Sequence, residues 1–420
     1  MKKIGVLDCV GAIVALASLT CASPSLLGGS SSRCTVRELV GLENAPVPEV
    51  RAADPSDAVP LQVAVFNIRS GFGPDDERSK DGVRERLSRI ASALAAAGYP
   101  DVIGLNEVDF KSRRTGFVDQ AEFIARELGK GGYHYRIARG PAWFRDTAGR
   151  EIEYGNALLV RHPVERVRQC PFADMSACEA ASAIDDLPRG SLGAPWSWLS
   201  HEPRGVVFAD FEWQGRTVRA IVTHLDPFSA QARETQAAQI IAGLVPREGS
   251  VVLLGDMNAV PTQLTIDRQW FGADRTHDVL TSGRLFDVRA ELGGEDPSAW
   301  GRWATYPVER PRWGLDGLFV SADLTSTGLD VFGEGLSDHL GLVGSLLPVS
   351  DAAYLSERQK RHAERRQNRF ARIERCDLPD RSEASFFSWL RNVSVAIEQP
   401  PVAQGKAPSV EVAVESGGGS

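Results

Sequence analysis

The chain has 420 residues, 43% hydrophobic and 24% charged, the make-up of an ordinary globular protein long enough for one large domain with extras or for two. Its formal net charge is −8. That balance lends no general attraction to nucleic acid or to an anionic membrane, although a local basic groove can sit on an acidic protein.

The chain opens like an export signal. Lys2 and Lys3 are followed by an apolar stretch over 10–20 that is too short to span a bilayer well. Thr20-Cys21-Ala22 offers a small-residue cleavage site before Ser23, so residues 1–22 read as a signal peptide and the mature protein as secreted or periplasmic. Cys21 is the alternative, as a lipidated cysteine, but Ser18 stands where a leucine is expected. Cleavage leaves Cys34, Cys170, Cys178 and Cys376, an even set for which disulfides are the default in an oxidising compartment. Cys170 with Cys178 would close a small loop, and Cys34 with Cys376 would tie the two ends together. The spacing does not resemble a zinc site.

Residues 23–60, rich in Ser, Gly, Pro and Ala, read as a linker. The first strand is "LQVAVFNI" (61–68). Val83, Leu87, Ile90 and Leu94 then recur at helical spacing over 81–98, which Gly98 ends. "DVIGLNEV" (101–108) is a buried strand and "QAEFIAREL" (120–128) a second helix. Strands follow at 156–160, 205–213 and 217–225, the last two joined by a turn, and a third helix at 229–245. Further strands are predicted at 251–256, 315–321 and 340–347. The mixture of strand–helix–strand units and hairpins predicts an α/β sandwich with parallel and antiparallel pairs. Residues 349–420 form a tail whose stretch 357–375 is basic and helical in pattern, most simply a solvated helix, and whose end is flexible.

Polar residues interrupt or end these apolar strands: Asn67, Glu107, His224, Asp256 and Asn258, Asp316, and the pair Asp338-His339. Each alone has an ordinary explanation as a turn or a hydrogen-bonded structural group. Together they offer two amides, four carboxylates and two imidazoles, with no serine or cysteine nucleophile. Carboxylates with an amide oxygen suit a hard ion such as Mg²⁺ or Mn²⁺. Imidazoles can hold an anionic oxygen or move protons near neutral pH. A carboxylate is left to take a proton from water. The sum describes hydrolysis of a phosphate ester without a covalent intermediate.

In order, "FNIRSG", "GLNEV", "YGNALL", "THLDP", "GDMN", "LDGLFVS" and "SDH" resemble the endonuclease/exonuclease/phosphatase family, which includes pancreatic-type deoxyribonuclease and bacterial sphingomyelinase. The resemblance covers about 61–348. It implies a four-layer sandwich, two sheets face to face with helices outside, and a site at one edge of the sheets. It implies metal ligation by Asn67, Glu107 and Asp338, and water activation by Asp256. Asn258 would orient Asp256 or the phosphate. His339 would bond the phosphate with Asp316 holding its ring, and His224 would bond the phosphate or serve the leaving oxygen. Asn156 and Arg204 are candidate phosphate contacts. One departure is Gly317, where the family often has His or Arg.

The motifs specify attack on phosphorus and leave the substrate open among nucleic acid, a phospholipid head group and an inositol phosphate; the expectation is a phosphodiesterase, with DNA or RNA somewhat ahead of phospholipid. A catalytically inactive binding protein of the same fold is the alternative from another class. Arg69, Arg113, Arg114, Arg139 and Arg204 could line a nucleic-acid groove, while Trp196, Trp198 and Leu199 in the unexplained stretch 170–203 are the candidates for a lipid contact. Nothing calls for an obligate protein partner, and a monomer is expected.

Overall fold

A computed structural model describes residues 59–76, 79–145, 151–172, 179–180, 204–246, 249–261, 274–281, 285–294, 297–349, 355–357 and 360. The expected signal peptide, nearly all of the expected linker, the cysteines other than Cys170, the tryptophans at 196 and 198 and nearly all of the tail lie outside these residues.

In chain order the elements are β1 (Leu61–Asn67), α1 (Lys80–Ala96), β2 (Val102–Asp109), α2 (Gln120–Gly129), β3 (Arg136–Arg145), β4 (Glu151–Val160), β5 (Val164–Pro171) and β6 (Glu179–Ala180). Then come β7 (Gly205–Trp213), β8 (Arg216–His224), α3 (Ala230–Gly243), β9 (Ser250–Asp256), α4 (Thr276–Leu280), β10 (Leu285–Asp287) and α5 (Val288–Gly293). The last are β11 (Asp316–Ser321), β12 (Leu324–Phe332) and β13 (Gly341–Pro348).

They build a six-stranded sheet, β12-β13-β1-β2-β4-β3, and a seven-stranded sheet, β10-β11-β9-β8-β7-β5-β6. Each sheet has one parallel pair at its centre, β1 with β2 and β8 with β9, and antiparallel pairs elsewhere. The two sheets face each other across a core made by every second residue of their strands. Val63 and Val65 of β1 meet Val222 of β8 and Val252 and Leu254 of β9 there. The alternate residues of the same strands point outward. Ala64 and Phe66 pack with Leu87, Ile90 and Leu94 of α1 and Ile124 of α2. Leu253 packs with Ala237 and Ile240 of α3. Central strands buried on both faces must be apolar at every position, which is why they read as continuous runs. The result is the four-layer α/β sandwich expected from the sequence.

The helices begin where the chain supplies a side-chain acceptor for their unpaired N–H groups. Ser79 accepts from Gly82, Asp119 from Glu122 and Ser229 from Ala232. At Gly255 glycine is obligatory. Its φ is 152°, and a Cβ there would lie 2.0 Å from the Thr223 carbonyl oxygen of the neighbouring strand.

Gly317 also has a physical account. A Cβ at this position of β11 would sit 2.5 Å from the Phe319 ring, which fills the space that a larger residue would need.

Candidate active site

The topology explains why the polar residues converge. Asn67, Glu107, His224 and Asp256 lie at or near the carboxyl ends of β1, β2, β8 and β9. Asp316 starts β11, which runs antiparallel to β9, and Asp338 and His339 immediately precede β13, antiparallel to β1. A strand that starts and a strand that ends therefore meet at one edge of the sandwich. Register pairs His224 with Asp256 and Asp256 with Asp316 directly.

Asp256 is buried at the centre of the group. Its carboxylate accepts from Asn67 Nδ2 at 3.0 Å and from the Asn258 backbone N–H at 2.9 Å. His224 Nε2 lies 3.4 Å and His339 Nε2 3.7 Å from its Oδ2. Burial, the largest influence, and the neighbouring Asp316 raise its pKa above the ordinary carboxylate value against the pull of His339 and these hydrogen bonds. That shift favours a carboxylate that must accept a proton.

The two imidazoles differ in charge. Arg204 Nη1 lies 2.7 Å from His224 Nδ1. A guanidinium can only donate, so Nδ1 accepts and the proton sits on Nε2, facing Asp256. Burial first, then Arg204 and His339, hold the His224 pKa well below its usual value, so the ring is neutral. His339 Nδ1 lies 2.8 Å from Asp316 Oδ2. Burial acts to lower its pKa, but Asp316 and Asp256 outweigh burial and push it up to about 10. His339 is thus an imidazolium with Nε2–H turned toward the site.

Asn67 joins two carboxylates. Its Nδ2 donates to Glu107 Oε1 as well as to Asp256, both at 3.0 Å, and its Oδ1 accepts from the Arg69 N–H. Glu107 sits in a β-bulge, where the β2–β4 register shifts between Leu105 and Val108, and has a φ of 57°. Bulges re-aim side chains next to active sites. Arg69, Ser70 and Asn258 also have positive φ, at 46°, 50° and 47°. Clustered left-handed non-glycine residues, each strained by about 1–3 kcal/mol, are a mark of functional sites. Asp338 receives Arg69 Nε at 3.3 Å and the Ser337 hydroxyl at 3.1 Å.

Two groups could receive a divalent ion. Ligand atoms of Asp256, Asp316 and His339 lie within 4.8 Å of one another. There His339 Nδ1 is already engaged with Asp316 Oδ2 at 2.8 Å, and all three residues are buried. Asn67, Glu107 and Asp338, the ligands that the resemblance implies, carry oxygen donors, and the two carboxylates are partly open to solvent, although here Asn67 turns Nδ2 to Glu107 and Arg69 Nε lies 3.3 Å from Asp338. This second set fits the chemistry of a hard ion better.

The other expected residues are more deeply committed. Asn258 Nδ2 donates to the Leu225 carbonyl, so this side chain pins the loop and the backbone N–H does the orienting of Asp256. Asn156 donates to the Gly205 carbonyl and accepts from Asn106 Nδ2, which places it beneath the site as a support. Arg204 is half-buried against His224. Arg114 is tied to Asp109, and Arg139 to Asp119.

Three contributors escape strand-end reasoning. Asn106, fully buried, donates to Asn156 and the Thr223 carbonyl and accepts the Asp256 N–H at 2.9 Å, stitching the two sheets together under the site. The "GLNEV" run hides it next to Glu107. Arg289 bonds the Gly314 carbonyl at 2.9 Å and the Asp316 carbonyl at 3.4 Å while paired with Asp287. Tyr306 lies against the His339 ring, centroids 4.8 Å apart.

Buried carboxylates thus lie between a neutral and a charged imidazole at one edge of an α/β sandwich. The family model described as the Endonuclease/Exonuclease/phosphatase family matches residues 64–339, more than half of the chain, and the chain belongs to that family. Its members are phosphoester hydrolases. An endonuclease/exonuclease/phosphatase from Beutenbergia cavernae DSM 12333 shares 20% identity, covering 69% of this chain and 72% of that one, with a TM-score of 0.50. A mannosyl-6-phosphatase from Bacteroides thetaiotaomicron VPI-5482 shares 17% over 68% and 99% of the two chains, with a TM-score of 0.47. D. rerio TDP2 complexed with single strand DNA product shares 16% over 68% and 98%, with a TM-score of 0.44. At such identities the likeness is one of fold. No curated protein matches the chain.

Proposed function

We propose that the protein is an exported, Mg²⁺- or Mn²⁺-dependent phosphodiesterase that uses direct attack of water. The observation that carries this reading is Asp256, a buried carboxylate of raised proton affinity set between neutral His224 and charged His339. Asp256 takes a proton from the attacking water as its oxygen bonds to phosphorus and the ester oxygen departs on the opposite side. His339 Nε2–H donates to a non-bridging oxygen, with Asp316 holding its ring. His224 Nε2–H supplies a neutral donor, and Arg204 fixes its tautomer. An ion held by Glu107, Asp338 and Asn67 would polarise a phosphoryl oxygen and stabilise the leaving oxygen.

Among substrates, nucleic acid is favoured over phospholipid. The large apolar side chains exposed among the described residues are Val59, Phe117 and Val331, on three separate segments. Among the described residues they make no patch for a lipid surface, and Trp196, Trp198 and Leu199 lie outside those residues. Lys111 and Arg113, which follow Glu107, and Arg310 and Arg312, near His339, are exposed. Incubating the mature protein and Mg²⁺ with plasmid DNA, RNA, sphingomyelin liposomes and inositol phosphates, with Asp256→Asn as control, separates the classes. Loss of the lipid head group with both nucleic acids intact would overturn the ranking. Export also supports a Cys170–Cys178 disulfide; Cys170 is buried at the end of β5, and Cys178 lies outside the described residues. Finding two free thiols by non-reducing peptide mapping of secreted protein would refute it.

A further inference from the structure

The hairpin 305–313 is built onto the segment that carries Asp338 and His339. Leu340 N–H donates to the Thr305 carbonyl at 2.7 Å, and Val308 N–H to the Asp338 carbonyl at 2.8 Å. These bonds bracket His339 and place Tyr306 across from it. The two arms of the hairpin are closed by a bridge between Tyr306 and Trp313, in which the Tyr306 N–H bonds the Trp313 carbonyl and the Trp313 N–H bonds the Tyr306 carbonyl, both at 3.0 Å. The Thr305 hydroxyl accepts the Asp316 N–H at 3.3 Å, so the same hairpin is also tied to the carboxylate that holds His339.

The Tyr306 ring is fixed from two sides. It is tilted against His339, with centroids 4.8 Å apart, and stacked near Trp313, with centroids 6.1 Å apart. Val260 and Leu315 complete the cluster around Trp313. The ring is only half-buried, and its hydroxyl makes no hydrogen bond within the described residues. Pure packing against His339 and Trp313 would be served equally well by phenylalanine. Tyrosine adds one donor, rigidly held beside the imidazolium that faces the site.

We propose that Tyr306 is a substrate-binding residue whose hydroxyl donates a hydrogen bond to an oxygen of the substrate's phosphate group. This rests on the phosphodiesterase reading above. Fixed donors aimed at phosphate charge act without reorganisation during the reaction, which is what makes such groups effective. Tyr306 would share the phosphate with His339, a neutral donor beside a charged one.

The test is Tyr306→Phe, which removes one oxygen and leaves the ring. Turnover of bis(p-nitrophenyl) phosphate with Mg²⁺, inhibition by inorganic phosphate, Mn²⁺ binding by calorimetry and the melting temperature are measured for the parent, Tyr306→Phe and Asp256→Asn. The expected result is a kcat/KM about 10- to 100-fold lower in Tyr306→Phe, the range for losing a donor to a charged group. Inhibition by inorganic phosphate should weaken at least several-fold, with Mn²⁺ affinity and melting unchanged. A Tyr306→Phe protein within twofold of the parent in both turnover and phosphate inhibition overturns the assignment, as does a loss confined to Mn²⁺ affinity. If the parent fails to turn over, or Asp256→Asn matches it, the phosphodiesterase reading falls and this proposal with it.

Discussion

Asp256 is held from three places in the chain: Asn67 on β1 and the Asn258 N–H beyond the strand end donate to its carboxylate, and the Asn106 side-chain oxygen on β2 accepts its backbone N–H. Asp256→Asn keeps the shape and removes the proton acceptor. Turnover should fall by about 10²–10⁴, the usual cost of losing a general base, while substrate still binds. Single-turnover kinetics with a binding assay would check both halves. Asn106 makes a different prediction. Asn106→Ala strands the Asp256 N–H, the Thr223 carbonyl and the Asn156 side-chain oxygen in a buried place. Stability should drop by roughly 1–3 kcal/mol, read from the urea midpoint, and turnover should drop with it. The contrast between these residues shows what the sequence discloses. Asp256 breaks an apolar run, so it stands out. Asn106 precedes Glu107 and needs the facing sheet, 150 residues away, to reveal its partner.

The strands that were legible are those with both faces covered. β1, β2 and β9 are buried almost throughout and appear as unbroken apolar runs. β5 is mostly half-exposed, and its run "VERVRQCP" is too polar to announce a strand. β3 and β12 lie at the two edges of the six-stranded sheet and carry glycine or proline. Edge positions relax the demand for apolar residues, so the pattern fades there. At the β10–α5 junction, buried Asp287 accepts from Arg289 at 2.8 Å and lies 2.8 Å from His277 Nε2. Burial alone would raise its pKa, but Arg289 and His277 outweigh burial and hold it far below the ordinary carboxylate range. A folded pKa below the unfolded value stabilises the protein fully above about pH 4, and that stability is lost as pH falls toward the folded value. Asp287→Asn should therefore destabilise near neutrality, by about 3–5 kcal/mol if Arg289 is left buried and uncompensated. It should also flatten the fall in stability below about pH 4. Urea midpoints from pH 7 down to pH 3 for both proteins would show it, and parallel curves would argue against this role.

At the scale of the molecule, the sandwich matters because it brings strands from two sheets to a common edge. Six separate strand ends, spread from Asn67 to His339, become one site only through that topology. Their order along the chain carried the family resemblance, and the resemblance supplied the fold. What the order did not carry is the environment that makes one imidazole neutral and the other charged, since that depends on Arg204 and Asp316 reaching the site from other segments. The oxygen-donor set of Asn67, Glu107 and Asp338 belongs to this scale too, as its members come from β1, β2 and the turn before β13. The central claim is that these parts form a metal-dependent centre for phosphodiester hydrolysis. The most direct measurement is the hydrolysis rate of bis(p-nitrophenyl) phosphate by purified mature protein in excess chelator, then after adding Mg²⁺ or Mn²⁺ beyond the chelator. The account predicts no turnover in chelator and full recovery with either ion. Undiminished turnover in excess chelator would contradict it.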